Sequence, residues 1–391
     1  MVMPFNFSRL PAIYFGPGKI SLLPKIISSG GKSVLLVTGK KSFRSTKEYE
    51  KLICALETSG IEISNIVIER EPSPVDIDNA VKLIAGKPFD IVVGIGGGSV
   101  MDAGKAISAM LYKNESVKIF LEGVGNKDYP GTKIPYIAIP TTSGTGSEAT
   151  KNAVLSEVNE NGYKKSLRHE NLVPDIAIVD PLLTLNCPTG ITSAGGMDCF
   201  TQLTEAYLSE KANVFTDAFA MAGLKAVKES LRECYYDGTN IDARSGMSFA
   251  ALTSGICIAN AGLGVVHGFA SSIGGLFNIS HGVVCGTLMA SSNEMNVREL
   301  RKNKRNKETL LKYAALGRLF LDAKGKGNDF YIDGFIQYLY QLTIDLQLPG
   351  LKQLGILEKD LDRIAGLTEN KNNPVSLTAE NLKEILSERY L

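Results

Sequence analysis

A chain of 391 residues is too long for one compact core and predicts two domains. With 44% hydrophobic and 21% charged residues it has the make-up of a soluble globular protein, and a net charge of +1 supplies no global field for nucleic acid or an anionic membrane. No apolar run reaches the length of a membrane span, and the stretch from Met1 to Phe7 lacks the charged start and long apolar middle of a signal peptide.

In chain order, residues 34–37 read as a strand, 46–59 as a helix, 66–68 as a strand, 76–85 as a helix, 91–95 as a strand and 103–111 as a helix. Strands follow at 136–139 and 176–179. Between them, 149–167 reads as a hairpin turning at Asn159-Glu160-Asn161-Gly162. Short apolar runs alternating with helical patterns predict βαβ units and a mostly parallel sheet. From about Pro188 onward strand signals fade, and 214–232, 309–321, 331–346 and 379–389 carry helical periodicity. The predicted organisation is an α/β dinucleotide-binding domain over 1–186 and an all-α domain over 187–391. The six cysteines are scattered without a Cys-x-x-Cys pair, which predicts reduced thiols in a cytoplasmic protein.

Between the strand at 91–95 and the following helix stands Gly96-Gly97-Gly98-Ser99-Val100-Met101-Asp102. Such a turn lets backbone N–H groups approach a phosphate at a helix N-terminus. A glycine-rich turn can also be merely tight. A second loop, Pro140-Thr141-Thr142-Ser143-Gly144-Thr145-Gly146-Ser147-Glu148, follows the strand at 136–139. Its interleaved hydroxyls suit ligand binding at the carboxyl edge of a parallel sheet.

Histidine is confined to His169, His267 and His281. The last two lie in an apolar, small-residue segment whose Gly274-Gly275 ends one helix, so the two rings sit on successive elements. A core role and a metal role are both open for this pair. Upstream, Asp198 and Gln202 are four residues apart and share one helix face. Asp198 is either an acid in a first helical turn, favoured by the macrodipole, or a carboxylate aimed at the imidazoles.

Taken together and in this order, these stretches resemble the iron-containing (group III) alcohol dehydrogenase family. The resemblance runs from Tyr14-Phe15-Gly16-Pro17-Gly18 through both loops and Pro174–Pro181 to the His267–His281 segment. The related dehydroquinate synthase and glycerol dehydrogenase families share the fold, but their signatures fit less well. The resemblance implies a cleft between the two domains. It implies that Gly97, Gly98, Ser99 and Asp102 hold the pyrophosphate region and that Thr141, Thr142 and Thr145 contact the cofactor. Asn152, Lys164 and Leu182 match further cofactor positions. It also implies a divalent metal, Fe²⁺ or Zn²⁺, with Asp198, Gln202, His267 and His281 as the ligand positions, and a homodimer.

Two departures fall on the catalytic centre. Gln202 stands where the family has histidine, and Ser271 stands where a proton-relay histidine usually lies. A glutamine oxygen is a poorer ligand than imidazole for iron or zinc. Weakened metal binding, a changed metal and a metal-free site are all open. The implied reaction is hydride transfer between a primary alcohol or aldehyde and NAD(P), with Asp198, His267 and His281 at the catalytic centre. A metal-independent reductase of an activated carbonyl and a non-catalytic nucleotide-binding protein are the alternatives. Gly39, where the family often has an aspartate, is followed by Lys40, Lys41, Ser42 and Arg44. Loss of the acid removes repulsion toward a 2′-phosphate, so NADP is expected over NAD, with Gly39 and Ser42 at the ribose.

Overall fold

Apolar side chains alternate between the two faces of short β-branched strands, and this builds the first half of the molecule. The structure is a computed structural model and describes residues 4–302 and 307–391. The first three residues of the N-terminal stretch considered above lie outside that range. The elements are β1 (Ala12–Phe15), α1 (Leu23–Gly30), β2 (Ser33–Gly39), α2 (Lys47–Thr58), β3 (Glu62–Ile68), α3 (Pro74–Leu83), β4 (Ile91–Gly96), α4 (Gly98–Met110), β5 (Tyr136–Pro140), β6 (Asn152–Glu157), β7 (Tyr163–Arg168) and β8 (Ile176–Val179).

Six strands form one sheet in the order β1-β8-β5-β4-β2-β3, and every pairing is parallel. Leu35 and Val37 of β2 face the α3–α4 layer, and Val34 and Leu36 face the α1–α2 layer. The predicted hairpin is β6–β7, an antiparallel pair apart from the main sheet. The sequence reading passed over β1, an edge strand with half-exposed residues and only one neighbour.

The second half is helical: α5 (Thr189–Leu208), α6 (Val214–Tyr236), α7 (Ile241–Ala261), α8 (Val265–Leu276), α9 (His281–Arg301), α10 (Lys307–Phe320), α11 (Asn328–Asp345), α12 (Leu361–Leu367) and α13 (Ala379–Glu388). Phe200 of α5 stacks on Phe320, with centroids 4.9 Å apart, in a core shared by α5, α6, α7, α9, α10 and α11. Among the described residues no single helix is both long and apolar enough to cross a membrane.

One expectation is corrected. Asp198 is not in a first helical turn: α5 begins at Thr189, so Asp198 sits mid-helix, beyond the reach of the N-terminal partial charge. The helix runs unbroken through Gly195-Gly196 because neighbours crowd both positions. A side chain at Gly196 would meet Leu231 at 2.1 Å, and one at Gly144 would meet the Gly195 Cα at 2.8 Å.

The loop of residues 141–147 is the seam between the halves. Gly146 has φ +60°, and a Cβ there would lie 2.4 Å from the Gly255 backbone nitrogen of α7. A Cβ on Gly255 would reach the Gly146 carbonyl oxygen at 2.1 Å. Backbone packs on backbone, so neither side can yield by rotating a side chain. Gly255→Ala should therefore lower the free energy of unfolding by about 1 to 3 kcal/mol. Urea unfolding at neutral pH reads this, and an unchanged midpoint would contradict the contact.

Candidate active site

The parallel register sets the carboxyl ends of three strands side by side. Thr38 of β2 pairs with Ile95 of β4, Ile95 with Ile139 of β5, and Gly96 with Pro140. The chain order reverses between β2 and β4, and ligands of open α/β sheets bind outside the strand ends at such a switch point. Gly39 and Ser42 lie there. So does the Gly97–Asp102 turn, whose helix α4 starts with Gly97 at the cap and no side-chain cap bond. The second loop covers it. A Cβ on Gly98 would strike Thr145 Cγ2 at 2.6 Å, and one on Gly97 would touch Thr142 Oγ1 at 3.4 Å. Thr141 anchors the loop by donating its backbone N–H to the Gly96 carbonyl at 2.9 Å. The structure thus brings together the Gly97, Gly98, Ser99, Thr141, Thr142 and Thr145 positions.

Asp102 has a different immediate task. Its carboxylate accepts the Ser147 hydroxyl at 2.7 Å and lies 3.8 Å from the Lys105 ammonium. Lys105, fully buried, donates to the Ser147 carbonyl at 2.8 Å, to Thr150 Oγ1 at 2.8 Å and to the Asn152 carbonyl at 2.6 Å. Burial lowers its pKa to about 8 despite Asp102 and Glu148. The sequence reading missed Lys105. In a helix following a glycine turn, a lysine three residues after an aspartate looks like an ordinary surface pair.

The remaining cofactor positions are more dispersed. Asn152 opens β6 and donates to Ser166 Oγ at 3.3 Å. Lys164 of β7 is nearly buried, pairs with Glu71, and lies with its stem 3.3 Å from where a Cβ on Gly274 of α8 would stand. Leu182 follows Asp180 in a short 3₁₀ turn and is 40% exposed.

The second cluster is in the helical half. His267 sits in the first turn of α8. Its Nδ1 is 2.7 Å from Glu205 Oε2, and Glu205 also accepts the N–H groups of Gly264 at 2.8 Å and Val266 at 2.7 Å. The carboxylate thereby holds the ring with Nε2 turned toward Asp198 Oδ1, 3.3 Å away. His281 opens α9, and its Nε2 lies 3.6 Å from the same Asp198 oxygen. The sequence reading also missed a fourth group: Cys285, one turn after His281, with Sγ 3.8 Å from His267 Nε2. The ligand atoms of Asp198, His267, His281 and Cys285 all lie within 4.8 Å of one another. The i, i+4 spacing of His281 and Cys285 was the available signal. Gln202 accepts the Ser254 hydroxyl at 2.7 Å, and Ser271 donates its hydroxyl to the His267 carbonyl at 2.8 Å. His169 lies elsewhere, beside Tyr129.

The electrostatics of this cluster are those of a cation site. Burial works against a charged Asp198, yet His281 and His267 hold its pKa below the usual value. Burial likewise opposes charge on His267, but the Cys285 sulfur, Glu205 and Asp198 outweigh it and raise its pKa well above the ordinary imidazole value. A lone pair on His267 Nε2 facing a carboxylate needs a positive charge between them; a proton or a metal ion can supply it. Burial lowers the His281 pKa to about 3, and its buried Nδ1 has no hydrogen-bond partner among the described residues. Asp198, His267 and His281 therefore fit a divalent metal.

Residues 11–181 match the family model described as iron-containing alcohol dehydrogenase, and residues 192–390 match the C-terminal model of the same family. The chain is similar to 1,3-propanediol dehydrogenase of Klebsiella pneumoniae, with 31% identity over 369 residues, 93% of this chain and 92% of that one. It is 30% identical over 390 residues to alcohol dehydrogenase 4 of Saccharomyces cerevisiae, covering 97% of each chain. A crystal structure of 1,3-propanediol oxidoreductase superposes with a TM-score of 0.89 at 29% identity, covering 99% of this chain and all of that one.

Glu148, buried under the hydroxyl loop, gives the site a pH signature. Burial raises its pKa from 4.5 to about 7, against its own backbone amide and Lys105. The folded state therefore holds an extra proton between those two values, and stability falls as pH rises from about 4.5 through about 7. Glu148→Gln removes this step. Between pH about 4.5 and about 8, the parent should lose about 3 kcal/mol relative to the variant in urea unfolding. Parallel pH profiles would refute the assignment.

Proposed function

The chain belongs to the iron-containing alcohol dehydrogenase family, and from that premise we propose that it interconverts a primary alcohol and its aldehyde, using NADP(H) in preference to NAD(H) and a divalent metal held by Asp198, His267 and His281. The observation that carries the proposal is the convergence of Asp198 Oδ1 and the two imidazole Nε2 atoms, at 3.3 and 3.6 Å, opposite a dinucleotide-type sheet edge. The nicotinamide coenzyme would supply the hydride acceptor in the oxidative direction, and the alcohol's proton would leave to solvent. The bound metal supplies Lewis acidity that lowers the pKa of the reacting hydroxyl.

The protein's own residues position the reactants. The backbone amides of the Gly97–Ser99 turn would hold the pyrophosphate, with Thr141, Thr142 and Thr145 of the covering loop beside it. Asn152, Lys164 and Leu182 contact the remainder of the dinucleotide. Asp102 and Lys105 serve this task indirectly, by holding Ser147 and the strand that follows. Glu205 fixes the His267 tautomer, so Nε2 keeps its lone pair for the ion. Ser271 has already committed its one hydroxyl proton to the His267 carbonyl, so it can accept a proton-bearing water but not donate at the same time. Proton release then runs through solvent in the cleft.

The coenzyme preference rests on Gly39 and its basic surroundings. Lys40 is paired with Glu69 at 2.8 Å, and Arg44 donates to Thr38 Oγ1 at 3.3 Å, which keeps a guanidinium at the strand end. A Cβ at Gly39 would meet only ordinary contacts, 3.7 Å to Ser42 and 3.8 Å to Val100. Gly39→Asp is therefore tolerated and places a carboxylate where a 2′-phosphate would lie. The ratio of kcat/KM for NADPH over NADH should fall about tenfold or more, by roughly 1.4 kcal/mol. A parent enzyme that prefers NADH would overturn the NADP assignment.

His267→Ala and His281→Ala test the metal reading itself. Each should reduce turnover of a short aldehyde about 1,000-fold, because Lewis-acid stabilisation is worth several kcal/mol. The NADPH dissociation constant, read by fluorescence titration, should stay within about twofold, since the dinucleotide sits on other elements. Near-parental kcat in both variants would replace this reading with a metal-independent reductase.

A further inference from the structure

We propose that Cys285, rather than Gln202, is the fourth protein ligand of the metal, and that its thiolate makes the site select zinc over ferrous iron. The inference rests on the reading above, that Asp198, His267 and His281 hold a divalent ion. Its new content is the identity of the fourth donor and what that donor does to metal choice.

Distances carry the first part. In a tetrahedral zinc site with bonds of about 2.1 Å to N or O and about 2.3 Å to S, N···O edges are about 3.4 Å and N···S edges about 3.6 Å. The cluster shows 3.3 and 3.6 Å for the two N···O edges and 3.8 Å for His267 Nε2 to Cys285 Sγ. These three edges are near the tetrahedral values, and all four ligand atoms lie within 4.8 Å of one another, so closure on an ion needs shifts of no more than about 1 Å. Helix geometry makes this arrangement firm, because His281 and Cys285 are one turn apart on α9 and α9 packs directly against α5 and α8. Cys285 is fully buried among apolar residues of α8 and α9. Packing alone would explain a buried thiol. It does not explain a sulfur held at ligand distance from an imidazole whose other nitrogen is fixed by a carboxylate.

Gln202 is differently engaged. Its side-chain oxygen accepts from Ser254 of α7 at 2.7 Å, which ties the amide to the helical wall. Charge points the same way. Among the direct ligands, Asp198 and a Cys285 thiolate together match the charge of a dication, with Glu205 outside that set on the far nitrogen of His267. On binding, the Cys285 S–H bond is lost, an S–metal bond forms, and the proton leaves to solvent. A thiolate with two imidazoles and one carboxylate suits borderline-soft zinc better than Fe²⁺.

The test uses the full chain stripped of metal and loaded with Co²⁺ alone, whose spectrum reports its ligands. The parent and Gln202→Ala should both show an intense thiolate-to-cobalt charge-transfer band in the near ultraviolet beside the visible ligand-field bands. Cys285→Ser should lose the first and keep the second. Its zinc affinity, by competition with a chelator, should fall about 100-fold or more, beyond the loss expected from removing a supporting partner. Offered equimolar Zn²⁺ and Fe²⁺ under anaerobic conditions, the parent should take up zinc and Cys285→Ser should discriminate less. Ligand-field bands without the charge-transfer band in the parent would overturn the Cys285 assignment and leave the three-residue reading standing. A parent that binds no Co²⁺ would overturn that reading too. The parent spectrum decides the point even if Cys285→Ser does not fold.

Discussion

Everything functional in this molecule depends on backbone meeting backbone along the loop of residues 141–147. The loop touches the Gly97–Gly98 turn through Thr142 and Thr145, α5 through Gly144 and Gly195, and α7 through Gly146 and Gly255. The Gly144–Gly195 and Gly146–Gly255 contacts are backbone on backbone and have no side chain that can rotate away, which fixes the loop against α5 and α7. Lys105 secures the loop from below. A buried ammonium is costly unless its hydrogen bonds are met, and here Ser147, Thr150 and Asn152 meet them. The sheet edge and the helical half are therefore joined through this loop.

The second organising feature is the polar stripe of α5. Asp198, Gln202 and Glu205 fall at successive i+4 and i+3 steps on a helix that is otherwise almost wholly buried. Polar side chains in such a helix must be paired, and each has a distinct partner. Glu205 joins the ring of His267 and the N-terminus of α8, Gln202 joins Ser254, and Asp198 faces both imidazoles. Position along one helix has become division of labour: one acid orients, the other confronts the site where positive charge is needed.

These two features lie on separate elements, and that separation has a chemical use. The glycine turn and the hydroxyl loop follow β4 and β5. The acid and imidazole cluster belongs to α5, α8 and α9. Side chains in one set can thus change without altering the contacts of the other.

Local sequence settled the sheet, the hairpin, the helical second half and the break between His267 and His281, because alternation, periodicity and glycine placement act within a few residues. It also marked the two cofactor loops, since closely spaced glycines and hydroxyls have few other uses after buried strands. It left open a first-turn place for Asp198, which the start of α5 at Thr189 rules out. It gave no reason to single out Lys105 or Glu205, and for Cys285 only its i, i+4 spacing from His281. Each is an ordinary residue at an ordinary spacing, and its meaning comes from groups 42, 62 and 18 positions away. Which acid would orient and which would face the cation, and whether a thiol would stand beside the imidazoles, was decided only when α5, α8 and α9 packed, because burial and charge act through space and not along the chain.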